Sequence, residues 1–162
     1  MNLIDLKPFL RLSPESFLDD FNLQVVGAVK CLQAIHSKLI KSEAPSILFF
    51  STVAVQSGFT FHSKVSASKG AIEGLTKALA AEFAPKIRVN AIAPSLTKTP
   101  LADKLLNSEE KINANAARHP MKKIGRAEDL ANMAEFLLSD KASWITGQIM
   151  HVDGGMSQLK TS

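Results

Sequence analysis

The chain has 162 residues, of which 46% are hydrophobic and 21% are charged, a composition typical of a single soluble domain with a sizeable core. Its net charge of +4 is spread along the sequence, and the densest basic cluster, Lys122, Lys123 and Arg126, is too short to indicate a nucleic-acid-binding surface. We therefore expect one domain over residues 1–162 that binds no nucleic acid.

Cysteine usage and hydropathy indicate where the protein works. Cys31 is the single cysteine, so a reducing cytoplasm fits best, and we expect its side chain to be a small apolar filler on a helix face. Residues 1–10 lack the basic start and apolar run of a secretory signal. Residues 44–63 carry no full charge, but Pro45 and Gly58 would make them a poor span of hydrocarbon. These features predict a cytoplasmic protein with no membrane partner.

The first predicted element is a long amphipathic helix from about 14 to 41. Ser13 and Pro14 supply a cap hydroxyl and a proline at the first helical position. Its apolar stripe recurs at steps of three and four residues: Phe17, Phe21, Val25, Ala28, Leu32, Ile35 and Leu39. Residues 46–53 are a nearly unbroken apolar run, which is typical of a parallel strand covered by helices on both faces.

A loop over 54–61 leads into a central helix that spans 62 to about 83 and ends before Pro85. Gly70 and Gly74 lie one turn apart on this helix. Each costs about 1 kcal/mol relative to alanine in a helix, so we expect both to allow close packing against another helix.

The remaining elements complete the fold prediction. Residues 88–92 form a short strand, residues 95–125 a loop with a loose helix, residues 130–138 an amphipathic helix, and residues 148–152 a third strand. This alternation predicts an α/β layer sandwich with a mainly parallel sheet of about three strands.

Four stretches of the sequence carry a family resemblance: SILFFSTVAV, ASKGAIEGLTKALA, RVNAIAPSLTKTP and ITGQIMHVDGG. Together they resemble the short-chain dehydrogenase/reductase family, over about residues 3–157. The resemblance implies a partial Rossmann-type three-layer sandwich and an NAD(P)-dependent carbonyl/alcohol oxidoreductase activity. It also implies a dinucleotide-binding front portion that residues 1–162 do not contain, which predicts a truncated fold.

The resemblance assigns catalytic positions, which here are remnants. In the family, a tyrosine protonates the carbonyl, a lysine lowers the pKa of that phenol, a serine binds the carbonyl and an asparagine supports a water relay. The tyrosine position falls on Val65 and the lysine is Lys69. The serine position falls on Thr52, with Ser51 as the neighbouring candidate, and the asparagine position falls on Gln24. The chain contains no tyrosine at all.

The cofactor positions implied by the resemblance are remnants too. Lys69 would hold the nicotinamide ribose, and a segment after the second strand would meet the nicotinamide carboxamide, with serine where glycine is usual: Pro94, Ser95, Leu96, Thr97 and Thr99. The family implies NAD or NADP. No glycine-rich turn follows any predicted strand, so we expect this chain alone to bind neither.

Other chemical groups give weaker predictions. His62 lies three residues before Val65 and has a side chain suited to acid–base work, although a loop histidine at a helix entrance is the commoner case. Asn90 and Asp153 resemble family positions that tie strands and loops together, so we expect both to be structural. The histidines show no ligand spacing with carboxylates or Cys31, which predicts no metal site.

These observations predict a family member that is inactive as an isolated chain, because it lacks both the phosphate-binding turn and the phenol. One alternative is a non-catalytic homo-oligomeric assembly module. Another is the C-terminal part of a split or incompletely read oxidoreductase.

Self-association is the predicted partnership. The family buries helices equivalent to 14–41 and 62–83 against a second subunit. The side chains of Phe17, Phe21 and Ile72, together with the pair Gly70 and Gly74, would suit such an interface. The strand at 46–53 would also lack a neighbour on one side and expose an apolar edge. Both features predict a homo-oligomer.

Overall fold

The computed structural model describes residues 6–160. In chain order its helices and strands are α1 (Pro14–Phe21), α2 (Gly27–Leu39), β1 (Ser46–Phe50), α3 (Ala54–Ser57), α4 (Ser63–Phe83), β2 (Arg88–Pro94), β3 (Thr97–Lys98), α5 (Glu109–Ala117), β4 (Gly125–Arg126), α6 (Ala127–Leu138) and β5 (Ile149–Val152). Short 3₁₀ turns lie at Phe9–Arg11, Pro100–Leu105 and Asp140–Ala142. The α/β prediction is confirmed.

The central sheet has three parallel strands in the order β1-β2-β5, and β3 pairs with β4 in a small second sheet. Ile47 lies opposite Val89, and Ile92 lies opposite Met150. Strand β1 ends at Phe50 instead of reaching residue 53 as predicted. Residues 54–57 form a helical turn, where a loop was predicted.

The predicted helix over 14–41 is confirmed as a continuous helical path to Leu39, with one feature that the sequence pattern did not predict. Residues Asn22–Val26 form a π-helical segment between α1 and α2. Such segments insert a residue into the helix and occur frequently at functional sites. At the start of α1, the Ser13 hydroxyl accepts a hydrogen bond from the Ser16 amide at 3.3 Å, as expected of a helix cap.

Helices cover both faces of the central sheet. On one face Ile47, Ala80, Ile87 and Val89 form a buried cluster, against which side chains of α2 and α4 pack. On the other face Ile92, Leu137 and Ala142 form a second cluster with side chains of α6. Burial of each large aliphatic side chain contributes about 2 kcal/mol, which explains why both faces of the strands are apolar.

Three predicted features of single residues are wrong. Cys31 is exposed on α2 and fills no apolar gap. A Cβ at Gly70 would meet a Val55 methyl of α3 at 3.8 Å, an ordinary contact, and one at Gly74 would meet nothing within 4 Å, so packing within the described chain does not require glycine at either position. Ile72 is 3% exposed and belongs to the core, so it is not available to an interface.

Strand β1 forms an edge of the central sheet as residues 6–160 define it, because β2 is its single partner there. The side chains beside this edge are less bare than predicted. Ile47 is buried and Leu48 and Phe49 are half-buried, which leaves Phe50 as the exposed apolar side chain of the strand.

Within the described ranges, no helix has both the length and the apolar character needed to cross a bilayer.

Candidate functional site

A cavity of about 380 Å³ lies at the carboxyl ends of β1 and β2. Parallel strands that end together leave a crevice there, and this is the usual ligand site of an open α/β sheet. Thr52 and Val53 follow β1, Pro94 to Thr99 follow β2, and Val65 reaches the same wall from the first turn of α4.

The structure brings together most of the predicted site residues but not all of them. The cavity is lined by Thr52, Val65, Pro94, Ser95, Leu96, Thr97 and Thr99. Lys69 and Gln24 do not line it. We refer to the first group as the cavity wall and to Lys69, Gln24 and Asp20 as the lysine corner.

In the lysine corner, the Lys69 ammonium donates a hydrogen bond to the Phe50 carbonyl at 2.8 Å. Gln24, in the π-helical segment, donates through its side-chain amide to the Asp20 carboxylate at 3.0 Å. Burial lowers the pKa of Lys69 because it removes water from the charged form, and the nearby negative charge of Asp20 opposes this shift without cancelling it.

Two hydroxyls compete for the family's serine position, and the structure separates them. Thr52 lines the cavity, and its oxygen accepts a bond from the Ala54 amide at 3.3 Å, so its own hydrogen remains free to donate to a carbonyl. Ser51 is 4% exposed and donates to the Glu73 carboxyl at 2.5 Å. The hydroxyl of Ser51, the neighbouring candidate, is therefore already hydrogen-bonded in the core.

Glu73 was missed by the sequence analysis, since a glutamate in the middle of a helix is normally solvated. Here it is 8% exposed and accepts hydrogen bonds from Ser51 and, at 2.6 Å, from the side-chain amide of Gln56. These two bonds tie the end of β1 and α3 to α4, and so they hold the frame on which Thr52 and Val65 sit.

The position that the resemblance assigns to the tyrosine carries no acid in this chain. Val65 has an aliphatic side chain, and Ser66 points away, donating to the Ala54 carbonyl at 3.0 Å. His62 lines the cavity near Val65, and its Nδ1 bonds the Thr60 carbonyl at 2.8 Å. That bond places the proton on Nδ1 of the neutral ring, which leaves Nε2 as an acceptor rather than a donor.

Two threonine hydroxyls of the segment after β2 form hydrogen bonds within that segment. The Thr97 hydroxyl donates to the Ser95 carbonyl at 3.0 Å, and the Thr99 hydroxyl donates to the Thr97 carbonyl at 3.5 Å. Because both hydroxyl hydrogens have acceptors within the loop, contacts to a carboxamide would fall to backbone groups and to hydroxyl lone pairs.

A buried histidine next to this segment was not singled out by the sequence analysis. His119 is 4% exposed; its Nε2 lies 2.8 Å from the Ser95 hydroxyl and its Nδ1 lies 2.9 Å from the Asn115 carbonyl. His119 and Ser95 line both the cavity and an adjoining one of about 280 Å³. The one sequence signal for this pair was the serine where glycine is usual.

The structural roles predicted for Asn90 and Asp153 are consistent with their contacts. Asn90 is fully buried, donates to the Ile145 carbonyl at 2.9 Å and accepts from the Gln148 amide at 3.0 Å. Burial raises the pKa of the Asp153 carboxyl, but hydrogen bonds from Ser157 and Gly155 outweigh it and lower that pKa overall.

The residues present fit only one end of a nicotinamide dinucleotide. The segment from Pro94 to Thr99 offers backbone groups and hydroxyls at the cavity, which suit a carboxamide. The turn from β1 to α3, Ser51 to Val53, contains no glycine and leads into a helix of four residues, so it provides no phosphate cradle. In the part of the chain that the structure describes, no three His, Cys, Asp or Glu side chains are placed to hold a metal ion.

Comparisons with known proteins place this geometry among reductases and dehydrogenases. A family model described as Enoyl-(Acyl carrier protein) reductase matches residues 3–157. L-xylulose reductase of Bos taurus is 35% identical over 152 residues, which cover 93% of this chain and 62% of the relative. The chain thus spans about three-fifths of the length of the curated relatives it matches.

Solved structures agree with these relatives. Aldohexose dehydrogenase of Thermoplasma acidophilum superposes with a TM-score of 0.89 and 30% identity, covering 98% of this chain and 67% of that one. ElxO with NADP bound superposes with a TM-score of 0.88 and 29% identity, covering 96% of this chain and 64% of the other. Both are therefore similar to this chain over nearly all of its length.

Proposed function

The chain belongs to the short-chain dehydrogenase/reductase family, and on that premise we propose that its cavity is the substrate side of an NAD(P)-dependent carbonyl/alcohol oxidoreductase site. We propose further that residues 1–162 by themselves catalyse no hydride transfer. The observation that carries this second proposal is Val65 on the cavity wall, at the position where the family places its proton donor.

Each residue of the cavity wall has a role under this proposal. The free hydroxyl hydrogen of Thr52 would bind a carbonyl oxygen, and the backbone from Pro94 to Thr99 would hold the nicotinamide carboxamide. A bound NAD(P)H would supply the hydride. The Val65 side chain excludes water but cannot protonate the oxygen that such a transfer leaves negative, so the reaction would lack general acid catalysis, a contribution of about 100- to 10,000-fold.

The proposal is tested by binding and turnover together. NADH and NADPH are titrated into the chain while the emission of the reduced nicotinamide is followed, because the single tryptophan, Trp144, is 98% exposed and lies outside the cavity lining. Panels of carbonyls and alcohols are then assayed. We expect no turnover with either coenzyme, and turnover that disappears in Lys69→Ala would overturn the proposal.

A second proposal concerns assembly, and exposed apolar side chains on α1, α2 and the π-helical segment support it: Leu18, Phe21, Leu23 and Ile35. Single exposed apolar residues are normal on a protein surface, but four of them along one helical path favour an interaction site. We propose that this helical surface associates with a second copy of the chain, while the core residue Ile72 takes no part.

Sedimentation velocity at micromolar concentration tests the assembly. We expect the wild-type chain to sediment as an oligomer and Leu23→Lys to shift it toward monomer. In the proposed interface the lysine would be buried without a partner for its charge, which is costly. Leu138→Lys, which places the same charge at an exposed apolar position of α6, is the matched control and should not change the sedimentation. A monodisperse wild-type monomer would contradict the proposal.

A further inference from the structure

We propose that Ser95 and His119 form a nucleophile–base pair that accepts acyl groups from esters. The Ser95 hydroxyl lies 2.8 Å from His119 Nε2, and His119 Nδ1 lies 2.9 Å from the Asn115 carbonyl. A carbonyl only accepts hydrogen bonds, so it holds the neutral imidazole in the Nδ1–H tautomer. Nε2 then has its lone pair directed at the serine hydroxyl, which is the arrangement that activates a nucleophile.

The location of the pair supports a chemical role rather than a purely structural one. Ser95 follows the carboxyl end of β2, where ligands bind in open α/β sheets, and it lines both cavities. His119 is 4% exposed, so bulk water does not compete for its Nε2. The base is thus shielded from bulk solvent and oriented, while the half-buried serine faces space large enough for a small substrate and a water molecule.

The surroundings define the class of substrate. Apolar side chains line the larger cavity beside Ser95 and suit an aliphatic acyl chain: Leu96, Leu101, Leu105 and Met156. Among residues 6–160, the backbone N–H of Leu96 donates no hydrogen bond. It belongs to the residue directly after the nucleophile and is a candidate donor to the oxyanion of a tetrahedral intermediate. We therefore assign short acyl esters as the substrate class.

The reaction balances with water as the second reactant. The Ser95 Oγ forms a bond to the ester carbonyl carbon while its proton passes to His119 Nε2. The bond from that carbon to the alkoxide oxygen then breaks, and His119 returns the proton to the leaving alcohol. Water attacks the acyl-serine with its proton passing to His119, the acyl–Oγ bond breaks, and Ser95 recovers a proton as the acid departs.

This inference needs no nicotinamide and stands independently of the proposed oxidoreductase site. The test is covalent labelling of the wild-type chain with diisopropyl fluorophosphate, which releases fluoride and leaves a phosphoryl group on an activated serine. Peptide mapping by mass spectrometry then locates the label. We expect it on Ser95. An unlabelled chain, or a label on another residue, would overturn the proposal without any variant having to fold.

Turnover of p-nitrophenyl butyrate supplies the second readout. We expect Ser95→Ala to abolish the enzyme-dependent release of p-nitrophenolate, and His119→Gln to lower it by about 100-fold or more, since glutamine can hydrogen-bond the serine but cannot take its proton. Ser143→Ala and His36→Gln, at positions outside both cavities, are the matched controls. Equal rates in His119→Gln and wild type would show that the histidine only positions the loop, and would overturn its role as base.

Discussion

The cavity wall and the lysine corner both hold positions that the family resemblance assigns to catalysis, yet different contacts fix them. The cavity wall rests on one buried and one part-buried hydrogen bond, in which Ser51 and Gln56 donate to Glu73 behind Thr52. The lysine corner is half-exposed, and its ammonium bonds a main-chain carbonyl, that of Phe50. Hydrogen bonds to Glu73 thus hold the frame around Thr52 and Val65, whereas Lys69 lies outside the cavity lining.

This difference separates two requirements that the family's tyrosine and lysine normally meet together. A proton donor needs an ionisable group at the cavity and a positive charge close enough to lower its pKa. Under the proposed function, the position at the cavity is that of Val65 in the wall, and the positive charge is that of Lys69 in the corner. Variants of each region can measure how strongly that region depends on its own contacts and how far the two regions act on each other.

The largest expected effect is on the frame of the cavity wall. Glu73→Ala removes the acceptor for the buried Ser51 hydroxyl and the Gln56 amide, and we expect it to lower the free energy of unfolding by about 3 kcal/mol. Glu82→Ala, at an exposed position of the same helix, is the control and should change it by less than about 0.5 kcal/mol. Urea denaturation followed by circular dichroism measures both, and equal losses would mean that the frame does not depend on Glu73.

The frame also shows what sequence reasoning can reach. Periodicity predicted the helix over 14–41, the central helix and the three parallel strands, because each buries a continuous apolar face whose spacing is visible in the residues. It did not predict the π-helical segment Asn22–Val26 or the helical turn at residues 54–57. In the π-helical segment the backbone hydrogen bonds shift by one residue, which leaves the hydrophobic pattern almost unchanged. The turn at 54–57 is too short to show a helical period.

The sequence predicted which residues lie at the cavity better than it predicted their hydrogen-bond partners. Thr52, Val65 and the segment from Pro94 to Thr99 were placed by resemblance, and they do meet at one cavity. The partnership of Ser95 with His119 joins residues 24 positions apart, and no local spacing encodes such a contact. The lysine was predicted with the rest of the site, but the sequence could not show that its ammonium would bond the Phe50 carbonyl instead of facing the cavity.

A single tyrosine placed at Val65 would measure the coupling between the two regions. Because the chain has no tyrosine of its own, the ultraviolet absorbance change on phenol ionisation in Val65→Tyr comes from that one group. Lys69 does not line the cavity, so we expect the phenol pKa to stay within about one unit of 10. A pKa lowered by about two units or more, and restored in Val65→Tyr combined with Lys69→Gln, would show that the regions still form one site.

The smallest expected effect concerns the lysine corner alone. Burial lowers the pKa of Lys69 in the folded chain below its ordinary value of 10.5, so the unfolded chain holds this proton more tightly. Stability contributed by this residue must therefore rise as the pH increases from the folded-state pKa toward 10.5. At neutral pH the half-buried ammonium weakens folding slightly, and we expect Lys69→Met to change the free energy of unfolding by less than about 1 kcal/mol.

The difference curve between wild type and Lys69→Met isolates this titration from the other lysines. We expect the wild type to gain stability relative to the variant as the pH rises toward 10.5, with denaturation measured at each pH. Lys77→Met, at an exposed position of the same helix, is the control and should give a flat difference. A flat curve for Lys69→Met as well would mean that water reaches this ammonium freely. The corner would then be an ordinary solvated surface rather than a site that holds a partly buried charge.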